Sequence, residues 1–196
     1  ETLSEEETRN GLAETIKMSI IRDRNLFESL EKNHKKILSG DKDTLRQIIR
    51  RSIELKKEVV EQDPFEMNLR QILNFGHTFG HALEACSNYR IKHGFAVAQG
   101  MMVESKISVM ANNLKKDEEE RIRNILKSFG FPTSIDKNIE ASKILELMKS
   151  DKKSKGNKPR FVMIDEIGKF KSKENNFSFE VDTKIIEKAI ELCKND

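Results

Sequence analysis

The sequence predicts a mainly α domain, built of many helices and closing with a small β hairpin near its C-terminus. From Ser4 to about Met148, apolar residues recur at three- and four-residue intervals between helix caps and breakers. Only beyond that point do aromatic and β-branched residues gather in short runs, on either side of Gly168. The 196 residues suffice for one domain with a core, and no internal repeat or extended linker divides them.

Ser4-Glu-Glu-Glu7 has the capping-box form and opens a helix with a seam at Leu12, Ala13, Ile16 and Ile20. A shorter helix carries Leu26, Phe27 and Leu30, and Gly40-Asp41 punctuates. The next helix is long, with Leu45, Ile48, Ile49, Ser52, Val59 and Val60 on one side, and stops near Asp63-Pro64. A single helix is then expected from about Glu66 to Cys86. After a loop near Ser87–Lys92, further helices are expected over His93–Asn113, Asp117–Ser128 and Ile139–Met148, with Gly130 and Pro132 as stops. Phe161–Ile164 and Phe177–Val181 read as strands, and Thr183–Cys193 as a last helix.

Charged residues make up 35% and hydrophobic ones 36%, with a net charge of only +3 and both signs mixed along the chain. That gives no electrostatic case for nucleic acid, which needs a basic face or stripe; the Lys152–Lys158 stretch reads as a solvated loop. Cys86 and Cys193 suggest no disulfide framework, which fits a reducing compartment. No apolar run spans a bilayer and no signal peptide is recognisable, so a cytoplasmic location is expected. The chain begins with Glu1 instead of Met and reads as a portion of something longer.

Three of the four histidines crowd into one window, His77, His81 and His93. Imidazole is the commonest metal ligand and suits proton transfer near neutral pH. On a continuous helix Arg70, Asn74, His77 and His81 form one polar stripe. The apolar residues Ile72, Leu73, Phe75, Phe79, Ala82 and Leu83 leave that helix little room for a solvated face. Thr78 stands where the metalloprotease pattern places glutamate. A catalytic zinc takes three protein ligands and keeps a fourth position open; His77, another of the histidines and a carboxylate such as Glu14 supply such a set. Lys17 and Lys56 both lie on apolar seams, where a lysine either snorkels outward or points into a polar pocket.

Four strings carry a resemblance: Gly11-Leu-Ala-Glu14-Thr-Ile-Lys17; Lys56-x-x-Val-Val60-x-x-Asp63-x-x-Glu66-x-x-x-Arg70; Leu73-Asn-Phe-Gly-His77-Thr-Phe-Gly-His81-Ala-Leu-Glu84; and His93-Gly-x-Ala-Val97. In order and spacing they resemble 3-dehydroquinate synthase, and Asp151-Lys-Lys153, Phe161–Ile164 and Ile167-Gly168 resemble the tail of the same domain. The resemblance covers essentially residues 1–196, as the C-terminal helical domain. It implies an N-terminal, Rossmann-like, NAD-binding domain elsewhere in the parent, since the nine glycines here form no GxGxxG.

The resemblance also implies roles. Glu14, His77 and His93 become ligands of zinc or another divalent metal, and Glu14 also borders the substrate. His81 and Glu66 become proton-transfer residues. Lys17, Lys56, Arg70, Asn74 and Lys152 hold the phosphate and carboxylate of the substrate, 3-deoxy-D-arabino-heptulosonate 7-phosphate. Thr2, Leu3 and Glu7 become a remnant edge of the NAD pocket. A homodimeric parent is implied, and an isolated domain that folds, binds zinc weakly and is inactive. The sequence departs from the family pattern at Met18-Ser19, where Tyr-Gly is usual, at Pro64, and at Asn68 in place of glycine. Phe95 replaces the usual glutamate beside His93, so an effect on the groups that orient His93 is expected. A related sugar-phosphate cyclase, or a non-catalytic metal-binding or interaction domain on the same scaffold, are the alternative readings.

Overall fold

The computed structural model describes residues 3–150 and 159–194. Among these residues eight α-helices run as α1 Glu5–Arg22, α2 Arg24–Leu38, α3 Lys42–Gln62, α4 His77–Cys86, α5 His93–Met110, α6 Lys116–Ser128, α7 Ala141–Ser150 and α8 Thr183–Lys194. A short 3₁₀ helix, Leu69–Asn74, precedes α4. Side-chain caps start the first three helices: Ser4 Oγ accepts from the Glu7 amide (3.2 Å), Asp23 Oδ1 from Leu26 (3.0 Å) and Asp41 Oδ1 from Thr44 (2.9 Å).

Helices α1 and α5 form the centre. Between Leu12 and Ile21 every α1 residue but Glu14 is buried, and α5 is buried almost all round from Ala96 to Ser105. A helix apolar on all sides belongs inside its domain. Phe27, Phe75, Phe79, Phe129 and Phe161 are fully buried in the same core. Helix α3 is amphipathic, but its buried residues are Ile48, Leu55 and Val59, while Ile49 is 46% exposed. The expected seam was therefore wrong at Ile49 and missed Leu55.

The helix expected from Glu66 to Cys86 is in fact two elements. The break falls at Gly76, whose φ of +78° is left-handed. Helix α5 presses on this point: a Cβ on Gly76 would come within 2.7 Å of the Val97 carbonyl oxygen, and one on Gly100 within 1.8 Å of the Gly76 carbonyl oxygen. Two glycines thus let the backbones of α4 and α5 meet, and no helical path passes through the junction.

The β region is also finer than expected. Ile164–Glu166 (β2) and Lys169–Phe170 (β3) close a tight antiparallel hairpin around Gly168, whereas Arg160–Phe161 (β1) pairs with Phe179–Glu180 (β4). The Phe161–Phe179 pairing joins the two predicted runs, but Ile164 turns back on Phe170. Among the described residues no helix is long and apolar enough to cross a membrane.

Candidate active site

Helix α1 supplies Glu14 and Lys17 to one point, α4 supplies His77 and His81 from its first turns, and α5 supplies His93 from its first residue. One donor atom from each of Glu14, His77 and His93 lies within 4.8 Å of the others. Glu14 Oε1 stands 3.5 Å from His77 Nε2 and 4.0 Å from His93 Nε2. That oxygen is buried and accepts no hydrogen bond. The other, Oε2, accepts from Lys17 Nζ at 2.7 Å.

The tautomers follow from the outer partners. His77 Nδ1 faces the Phe75 carbonyl oxygen at 3.1 Å, which can only accept, so Nδ1 carries the proton. His93 Nδ1 faces Glu84 Oε2 at 3.2 Å, with the same result. Both Nε2 lone pairs therefore aim at an unsatisfied carboxylate oxygen. Three electron-rich atoms facing one another fit a divalent cation, in the two-imidazole, one-carboxylate set that suits zinc. Burial pushes His77 down to about 3, helped by the Lys17 charge and opposed by Glu14, so the ring is neutral and ready to ligate. Burial pushes the Glu14 carboxyl up, but the charge and hydrogen bond of the Lys17 ammonium outweigh it and leave it below the usual range.

His81 belongs to the same cluster, its ring centroid 5.3 Å from that of His77 and 6.0 Å from that of His93. His81, Glu84 and His93 also group within 4.8 Å, with Glu84 Oε2 already facing His93 Nδ1. Phe95 does not supply the partner of His93 Nδ1; its ring packs edge-on against Phe131 at 5.3 Å. Glu84, on α4, is the residue that faces this nitrogen.

Beside the cluster, a cavity of about 170 Å³ is walled by Glu14, Lys17, Lys56, Glu66, Arg70, Asn74 and His77. Lys17 is 3% exposed and donates to the Leu73 carbonyl (2.8 Å) as well as to Glu14. Burial pushes its ammonium below the ordinary value despite Glu14. Of the two seam lysines, Lys17 points inward and Lys56 lies exposed at the cavity wall. Asn74 donates to Glu66 Oε1 at 2.7 Å, and Arg70 Nη1 to the Pro64 carbonyl at 2.8 Å. The continuous stripe from Arg70 to His81 does not exist, because Gly76 separates the 3₁₀ helix from α4; the residues still converge, by way of the turn. A larger cleft of about 590 Å³, lined by Glu66, Asn74, Thr78, Arg160 and Ser178, adjoins it.

Of the other expected site residues, Glu7 accepts from Lys92 Nζ and from Asn10 Nδ2 (3.3 Å), and Leu3 is exposed. Thr2 and Lys152 lie outside the described residues. Sequence reasoning missed the orienting role of Glu84, and Glu104, which sits on α5 with no exposure and no hydrogen bond to either oxygen. Burial pushes the Glu104 carboxyl well above its usual range, against the nearby amides of Gly76, Thr78 and Val162 and the Lys17 charge. A lone glutamate in an Ala-, Val- and Met-rich helix was the available signal.

Comparison with known proteins gives the chain's family and its fold. Residues 11–154 match the 3-dehydroquinate synthase C-terminal family. The 3-dehydroquinate synthase of Thermodesulfovibrio yellowstonii is 44% identical over 191 residues, 97% of this chain and 52% of that protein. That of Dictyoglomus thermophilum is 45% identical over 175 residues, 89% and 49% respectively. The chain thus spans about half the length of these relatives. Among solved structures, 2-epi-5-epi-valiolone synthase from Streptomyces hygroscopicus, with NAD+ and Zn2+ bound, superposes with a TM-score of 0.86 at 22% identity, over 99% of this chain and 53% of that one. A 2-deoxy-scyllo-inosose synthase complexed with carbaglucose-6-phosphate, NAD+ and Co2+ gives 0.79 at 20% identity, over 96% and 53%. The fold is shared with these cyclases, and by sequence the chain belongs to the 3-dehydroquinate synthase C-terminal domain family.

Proposed function

We propose that this chain is the metal- and substrate-binding half of a 3-dehydroquinate synthase, which converts 3-deoxy-D-arabino-heptulosonate 7-phosphate into 3-dehydroquinate and phosphate in the shikimate pathway. The observation that carries this reading is the unsatisfied Glu14 Oε1 facing two imidazole lone pairs, beside a cavity that gathers Lys17, Lys56 and Arg70. When bound, the divalent ion supplies Lewis acidity toward a substrate oxygen, and NAD, held mainly by the rest of the parent, supplies hydride exchange.

The chain's own residues do the remainder. Lys17 and Lys56 meet the substrate's phosphate and carboxylate as point charges, and Arg70 offers a planar fork to one of them. Holding a multiply charged substrate in one pose removes much of the orientational barrier. His81 and Glu66 move protons at the substrate, with Asn74 fixing the Glu66 carboxylate. The free Cys86 and Cys193 accord with a cytoplasmic enzyme. A homodimeric parent is part of the same reading.

The test is phosphate release from the heptulosonate phosphate by the full-length parent with NAD and zinc, beside a His81→Ala variant. Release that requires both cofactors and falls by a factor on the order of 10²–10⁴ in the variant supports the reading. A folded wild type that releases phosphate only from a sugar phosphate lacking the carboxylate would transfer the assignment to a related cyclase.

A further inference from the structure

The side chain of Asp63 ends α3 and is 7% exposed. Its Oδ1 accepts from the Met67 amide at 3.0 Å, and its Oδ2 from the amides of Asn68 (2.7 Å) and Arg70 (3.0 Å). One carboxylate therefore gathers three amides at the mouth of the Leu69–Asn74 3₁₀ helix, where backbone N–H groups have no partners of their own. Inside the loop so formed, Glu66 adopts φ +57°, a left-handed conformation that is uncommon outside glycine. Such a backbone persists only where its surroundings over-determine it. Pro64, the residue after Asp63, offers its carbonyl to the Arg70 guanidinium at 2.8 Å.

Both ends of the loop thus return to Asp63-Pro64. Glu66 projects from the strained turn to Asn74, and Arg70 begins at the clamp and has its head group held one residue beyond it. We propose that Asp63 is a positioning residue, whose carboxylate sets where the Glu66 carboxylate and the Arg70 guanidinium stand on the cavity wall. The consequence for turnover rests on the functional reading above; the clamp itself does not.

In the full-length parent, Asp63→Asn keeps the size but replaces one acceptor oxygen with a donor, so the amides on that side lose their partner. Asp63→Glu keeps the charge and displaces it by a methylene. The expected result for both is a combined loss in kcat and rise in KM for the heptulosonate phosphate, on the order of a hundredfold in kcat/KM. Zinc stoichiometry should stay at the wild-type value, since no ligand is touched. Folded variants that keep kcat and KM within about twofold of wild type would overturn the proposal. Should either variant fail to fold, amide hydrogen exchange on the wild type decides. Strong protection at Met67, Asn68 and Arg70 supports the clamp, whereas exchange at open-chain rates there overturns it. Exchange needs no substrate, so a wild type inactive on this sugar acid counts against the functional reading and leaves the clamp to be decided separately.

Discussion

Burial at the foot of α4 holds the His77 imidazole down to about 3, far from its ordinary 6.5, and this has a measurable consequence for the metal-free protein. An unfolded chain takes up a proton at this histidine as pH drops through 6.5, while the folded one refuses it until about 3. Stability is therefore lost as pH falls across that window and is fully present above it. Denaturant midpoints taken in chelator at a series of pH values should show a shallower acid-side fall in His77→Gln than in wild type; parallel curves would contradict the burial argument. At this scale the sequence was informative about residue type. Glu14, Lys17, His77 and His93 were legible because scarce or out-of-place polar groups stood on apolar seams. Glu84 was not, since nothing in its spacing distinguishes a carboxylate that orients a ligand from one facing solvent, and Glu104 stood out only as a lone glutamate in an apolar helix.

Elements were legible wherever local chemistry settles them. Ser4 caps α1 as its capping-box form predicts, Asp41 starts α3 where Gly40-Asp41 was read as a break, and Gly168 turns a hairpin. The split between the 3₁₀ helix and α4 was not, because Arg70, Asn74, His77 and His81 keep helical spacing across it. What breaks the helix is the crossing of α5 over Gly76, a long-range contact. Gly100→Ala should accordingly disrupt more than an ordinary helix substitution. Its methyl would meet the Gly76 carbonyl at 1.8 Å, and overpacking of this kind costs about 1–3 kcal/mol or more. A lowered thermal midpoint checks this. An unchanged midpoint would mean that the two helices are not in such close register.

Three of the molecule's elements must be in place before the proposed ligand set exists: α1 for Glu14, α4 for His77 and α5 for His93. All three helices bury residues in one continuous core, so the arrangement is a property of the folded state. Zinc that binds only there must stabilise the fold, by about 2.7 kcal/mol at a hundredfold excess over Kd. The parent should therefore unfold at a higher temperature with zinc than in chelator, and Glu14→Ala should remove most of that shift. Identical midpoints for wild type in the two conditions would argue against a preformed centre.

By itself the sequence determined the mainly helical class, the late change to β structure and the family, because periodicity, caps and contiguous motifs are local properties of the chain. Through the family resemblance it also named most of the residues that line the cavity. Which histidine nitrogen faces Glu14, that Glu84 stands behind His93, and that Asp63 ties down the loop carrying Glu66 were decided only by tertiary structure. Those are relations between side chains and backbone set by helix crossings and a left-handed turn, and no one-dimensional spacing encodes the direction in which a donor atom points.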